Sequence, residues 1–211
     1  MSRLLPLFPL NLVVFPGEKL NLHIFEPRYR QLVHDCATEN ITFGIPAFLN
    51  GEVQPIGTEM RLIRIEKLYE SGESDIRTEG VGVFRLGEML RQAPGKLYAA
   101  GYVDDLPDDA TEDPDVRQHI GTLVAQLYNI LGLSPTLLTL PPHYRMFDVA
   151  HQLGLSNEQE YQLLTLRSEA ERQELVRGHL EQILPVLSET ERLKERVRLN
   201  GHFKNLTPPS F

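Results

Sequence analysis

A chain of 211 residues, 41% hydrophobic and 24% charged, has the ordinary composition of a soluble globular protein of one large or two small domains, and disorder is not the default for it. Its formal net charge of -8 is concentrated in the run DDLPDDATEDPD at 104–115, which holds -7 and leaves -1 in 1–103 and 0 in 116–211, so neither half carries a basic nucleic-acid footprint. The single Cys36 excludes an internal disulfide, no apolar run of signal-peptide length precedes Pro6 and no stretch approaches the ~20 apolar residues of a spanning helix, so a cytoplasmic location with no membrane contact is expected.

Leu4 to Phe15 is nearly continuous in apolar residues, as in a strand packed on both faces, but Pro6 and Pro9 cannot donate to a ladder and predict an edge or a bend. Pro16-Gly17 supplies turn chemistry. From Lys19 to Ile24 the pattern alternates, with Leu20, Leu22 and Ile24 on one face and Lys19, Asn21 and His23 on the other. Pro27 suits a first helical position, and Tyr29, Leu32, Val33, Cys36 and Ala37 recur at helical spacing up to a stop at Asn40. On that apolar face Cys36 reads as a packing thiol rather than a nucleophile. Ile41 to Leu49 contains Gly44 and Pro46 and predicts a bent strand, closed by the Asn50-Gly51 turn. Val53 to Leu68 reads as a strand region whose change of phase at Leu62-Ile63 marks a bulge or a twist. After a turn at Ser71–Ser74 the chain returns over Ile76 to Leu86, where Gly80 and Gly82 permit sharp curvature, and Leu97 to Val103 is the last strand. Short curved strands, one early helix and no βαβ alternation predict an α+β chain that begins with a small antiparallel or mixed barrel.

The acidic run at 104–115 reads as a solvated linker, since the central Gly and terminal Glu of a calcium loop are missing from it. The expected domains are therefore a barrel at 1–103, the linker, and a helical part at 116–211. Asp113 is a candidate N-cap ahead of Pro114, and Val116, Ile120, Leu123, Val124, Leu127, Ile130 and Leu131 form an apolar stripe closed by Gly132. Thr136 to Leu140 predicts an ordered connection between prolines, and Tyr144 to Leu153 a short helix ending at Gly154. Ser156 with Gln159 and Ser168 with Glu171 have the spacing of capping boxes, each opening a helix. The last helix runs from Glu169 towards Asn200-Gly201, with a kink or break expected at Pro185, and the tail NLTPPSF is expected to be loosely ordered.

The opening segment LPLFPLNLVVFPGEKLNLHIFEPRYRQLV resembles the start of the Lon amino-terminal, or substrate-binding, domain. Its apolar-Pro-Leu, Val-Val-Phe-Pro-Gly, Ile-Phe-Glu and Arg-Tyr elements carry the likeness. Gly57-Thr58, Gly80 and Phe84-Arg85 are similar to later strands of that domain, and the helical sequence after Pro114 is similar to the helical part beyond its barrel. The resemblance implies a PUA-like β-barrel followed by a helical bundle with a long C-terminal helix, in a stand-alone member of the family. It also implies recognition of unfolded or extended polypeptide, or of a specific protein partner, in protein quality control.

The chain lacks the motifs that the remaining Lon chemistry requires. The only Gly-Lys pair, Gly95-Lys96, has Leu90 and Leu97 at the first Gly and the Ser/Thr positions of a phosphate-binding loop, so neither the turn nor the Mg²⁺ ligand is supplied. No Gly-rich Ser segment accompanies a Lys, and none of the seven histidines pairs with another at i+4 as a zinc-protease motif requires. A non-enzyme without cofactor or metal is expected. The alternative function is that of a PUA-like RNA-binding protein, for which Arg61, Arg64, Lys67 and Arg85 are the modest basic candidates; with so little positive charge, nucleic acid is not an expected partner. Peptide contacts are expected at Phe43, Phe48 and Tyr69, because each lies on or beside a strand interrupted by Gly, Pro or a turn, where side chains are readily redirected outward.

Overall fold

The computed structural model describes residues 2–133, 140 and 143–201, the side chains of 199–201 excepted. The expected connection at 136–139 and the tail at 205–211 lie outside the described residues. Six strands, β1 (Arg3–Leu7), β2 (Lys19–Ile24), β3 (Phe43–Leu49), β4 (Glu52–Leu68), β5 (Ser74–Leu90) and β6 (Ala99–Leu106), form one mixed sheet in the order β2-β5-β4-β3-β1-β6. Because β6 also pairs with β5, five of the strands close nearly into a small barrel and β2 hangs from the outer part of β5.

The predicted turn chemistry does what the local sequence requires. Asn50 and Gly51 take φ of 54° and 83°, the left-handed pair a two-residue hairpin needs, and β4 turns directly back on β3. Helix α1 (Pro27–Glu39) starts at Pro27 and stops at Asn40, which caps it at φ 54°. Its buried face comprises Tyr29, Leu32, Val33, Asp35 and Cys36, with Ala37 left exposed, and it packs with Phe8, Phe43, Ile45, Met60 and Ile76 in the main core. A second cluster, Leu5, Leu7, Phe84 and Val103, fills the other part of the barrel. The phase change read at Leu62-Ile63 is a bulge in the β4–β5 ladder between Leu62 and Arg64, and another lies where Glu59 faces Gly82 and Met60 faces Gly80.

The seam between β1 and β3 is the weak point of the barrel wall. β6 flanks β1 along its whole length, but on the other side only Leu7 pairs, in parallel, with Gly44. Phe8 donates its N–H to the Gly44 carbonyl at 2.8 Å. Backbone polar groups of every second residue point the same way along a strand, so Pro6 and Leu4 also face β3. One step further back the ladder needs an N–H at residue 6 aimed at the Thr42 carbonyl, and proline has none. The prolines therefore act as the sequence suggested, by bending and unpairing the segment, although β1 lies between two strands.

Contacts divide the chain into two compact units, one with residues up to Thr111 and Arg145–Arg172, the other with Glu112–Tyr144 and residues from Gln173 onward. The expected division differs in two places. Asp104–Leu106 extend β6, Asp109 bridges Ser168, and helices α3 (Met146–Val149) and α4 (Asn157–Thr165) group with the barrel. The attachment is chemical as well as apolar: Phe147 stacks on Phe15 with ring centroids 5.1 Å apart, and His151 bonds Glu18 and Glu160 at 3.1 and 2.7 Å. Buried Arg172 reaches Asp108 at 2.6 Å and Glu169 at 3.1 Å beneath the Phe147 ring.

In the second unit, helix α2 (Pro114–Ile130) is capped by Asp113, whose carboxylate accepts from the N–H groups of Asp115 and Val116. The capping boxes at Ser156/Gln159 and Ser168/Glu171 both form. Helix α5 (Glu169–Gly201) runs through Pro185 as one element, so the expected break does not occur. Pro185 is exposed, which leaves the carbonyl it cannot serve open to water.

Candidate functional site

Where β1 and β3 part, a groove of about 470 Å³ opens, within the size range of ligand and short-peptide sites. Leu4, Leu5 and Pro6 form one wall, and Asn40, Ile41 and Thr42 the other. Ala93, Pro94, Lys96, Tyr98 and Ala100 complete the lining. The local sequence explains both walls. Pro6 stops the ladder, and on the opposite side helix α1 ends at left-handed Asn40, so the chain enters β3 from a cap rather than from a paired strand.

Charged groups at the margins of the groove are satisfied within the protein. Arg3 donates to Glu59 at 2.5 Å and to Asp105 at 2.7 Å, and Glu59 also accepts from the Thr42 hydroxyl, so one carboxylate spans the open seam. Of the other lining residues, Lys96 through Nζ and Tyr98 through its hydroxyl each donate to buried Asp35 behind the lining, at 2.7 Å. Burial pushes the Asp35 carboxyl up, but those two hydrogen bonds outweigh it and hold the group below the usual carboxylate range. Burial first and the Asp35 carboxylate second push the Tyr98 phenol well up, so it stays a donor. With its ions paired at the margins, the groove offers apolar surface and strand backbone. Cys36 is buried, and desolvation pushes its thiol up to about 12, so it is protonated at neutral pH. Among the described residues no group of three or more His, Cys, Asp or Glu side chains is arranged to hold a metal ion.

The three residues chosen from sequence do not converge. Phe43 is 1% exposed and belongs to the main core, which corrects its expected role: β3 is interrupted by Gly44 and Pro46, yet it lies between β4 and β1 and its side chain points at α1's cluster. Phe48 is 38% exposed and faces Val53 beside the Asn50-Gly51 turn. Tyr69 is half-buried at the far end of β4, where its hydroxyl donates to Asp75 at 2.7 Å and its ring meets His23 edge-on. Asp75 also binds His23 at 2.7 Å, and these two bonds hold its carboxyl below the usual range. Phe25, missed in the sequence reading, stacks on His23 and is 60% exposed. Its signal was the alternation itself, which places residue 25 on the wet face with His23. The groove was missed too, although the residue that creates it, Pro6, stands out in the strand.

Residues 4–182 match the family described as the ATP-dependent protease La (LON) substrate-binding domain. Among solved structures, the Lon N-terminal domain protein from Xanthomonas campestris is 30% identical, with a TM-score of 0.61 over 87% of this chain and 98% of that one. The N-terminal domain of the Mycobacterium avium complex Lon protease has a TM-score of 0.60 at 14% identity, over 85% of this chain and 98% of that one, and shows the shared fold. No curated protein sequence matches the chain. Among the described residues no helix is long and apolar enough to cross a membrane.

Proposed function

Since the chain belongs to the family of Lon substrate-binding domains, we propose that it is a non-catalytic module that recognises polypeptide segments, or docks on another protein, in protein quality control. The observation that carries this reading is the mainly apolar groove beside an unpaired strand edge, with its ionic groups already compensated. An occupant of that groove contributes apolar side chains and meets no uncompensated charge. Phe48 and Tyr69, the two solvent-reaching members of the sequence-chosen set, provide further apolar contact, and Phe25 joins Tyr69 around His23. The RNA-binding alternative gains little from the geometry, because Arg61 and Arg64 are bound to Glu79 and Glu66 and Lys67 lies over the Tyr69 ring, which leaves exposed Arg85 of the four basic candidates.

The reading is tested by titrating the protein with a permanently unfolded, carboxymethylated polypeptide and following fluorescence anisotropy. Leu4 is 43% exposed and lines the groove, so Leu4→Glu is expected to weaken binding at least tenfold with an unchanged thermal midpoint. Absence of binding by the wild-type protein refutes the proposal.

A further inference from the structure

We propose that the seam between β1 and β3 is a strand acceptor: an extended polypeptide segment enters the groove and hydrogen-bonds, through its own backbone, to the seam-facing groups of Leu4 and Thr42. This inference rests on the polypeptide-recognition reading and specifies its mode. Three observations lead to it. The parallel ladder stops at Leu7 opposite Gly44, and the missing N–H of Pro6 is the reason. By strand alternation from the Phe8 N–H, which reaches the Gly44 carbonyl, the N–H and C=O of Leu4 point into the opening. By the same alternation from Gly44, the backbone groups of Thr42 point into it from the other wall. A backbone in extended conformation supplies donors and acceptors at the repeat that pairs with these groups.

The side-chain chemistry fits the same occupant. Every second side chain of an inserted strand points inward, towards Leu5, Ile41, Ala93 and Ala100, and so must be apolar. Glu59 marks one end of the opening by binding Arg3 and Thr42 across the seam. A helical segment meets none of the backbone groups, because its own are used internally. The partner class is thus an extended, alternately apolar polypeptide, and selectivity lies in its conformation more than in its charge.

The experiment uses the full chain and a seven-residue capped peptide alternating Val and Ser, together with two versions N-methylated at every second amide, one on each edge. Affinity is read by anisotropy and the location by amide chemical shifts. Methylation on the pairing edge is expected to weaken binding at least tenfold, and on the other edge by less than threefold. Leu4→Pro removes the seam-facing N–H together with the leucine side chain, so it is read against Leu4→Ala, which keeps the N–H, and is expected to bind at least tenfold more weakly than that variant. Pro6→Val restores the missing donor, so the ladder extends to Thr42; peptide affinity falls at least tenfold while the thermal midpoint holds or rises, a result that misfolding cannot mimic. If the peptide binds and neither variant nor either methylation pattern matters, strand addition is overturned while polypeptide recognition stands. If the wild-type protein binds neither the peptide nor the unfolded polypeptide, both fall.

Discussion

The packing of Phe84 against two glycines makes a quantitative test of how the barrel is filled. Phe84 is fully buried with Leu5, Leu7 and Val103. A Cβ on Gly44 would stand 2.7 Å from Cε1 and Cζ of Phe84 and 2.8 Å from Leu5 Cδ2, so its three nearest neighbours are side-chain atoms. At Gly57 the new atom would stand 2.6 Å from the Ile45 carbonyl oxygen and from Pro46 Cα, as well as 2.7 Å from Phe84 Cζ, and backbone does not yield as a ring does. Gly44→Ala alone is expected to destabilise by about 1 to 3 kcal/mol through overpacking. Phe84→Ala should cost about 3 to 5 kcal/mol through lost transfer and a cavity. In the double variant the methyl group added at position 44 enters space the ring has vacated, so the total should fall short of the sum by at least about 1 kcal/mol. Gly57→Ala combined with Phe84→Ala should recover much less, since the backbone contacts persist. Equilibrium urea unfolding with an unchanged m-value supplies all the numbers. Strict additivity of Gly44→Ala and Phe84→Ala would refute the packing argument.

Three further outcomes are expected from the ionic contacts and the long helix. The hydrogen bond to Glu18 raises the His151 pKa, burial opposes it and Glu160 adds to it, for a value of about 9 against an ordinary 6.5. A raised folded pKa means that the stabilisation is full below pH 6.5 and lost as pH climbs through 9. With the side chain 41% exposed, solvent screening reduces it to about 1 kcal/mol, and His151→Gln should flatten the urea midpoint over that window. Arg172→Leu strands the buried Glu169 carboxylate and should cost about 3 to 5 kcal/mol, part of which Arg172→Leu with Glu169→Leu recovers; the Met146 N–H, which donates to Glu169 at 2.6 Å, stays unsatisfied and limits the recovery. A single variant as stable as wild type contradicts this account. Pro185→Ala restores a helical donor at an exposed position of α5 and should raise stability by about 1 to 3 kcal/mol, measured by calorimetry; a lowered midpoint would show that the proline is required.

Local rules made much of this protein legible from its sequence. The bounds of β2 and α1, the Asn50-Gly51 hairpin, the Asp113 cap and both capping boxes depend on neighbours a few residues apart, and each is where periodicity and cap chemistry put it. Apolar runs bounded by turn residues likewise marked the strands that make up the barrel. Tertiary structure decided what depends on distant partners. Phe43 and Phe48 lie on the same bent strand, and only the packing of α1 against the barrel makes one core and leaves the other partly wet. The helices at 146–165 carry no local mark of where they pack; Phe15, Glu18 and Asp108, more than 35 residues away, hold them and the start of α5 on the barrel. The groove needed both kinds of information. Proline's missing N–H is written in the sequence, but it opens a seam only because the fold places Thr42, from beyond an intervening strand and helix, opposite the bond that Pro6 cannot make.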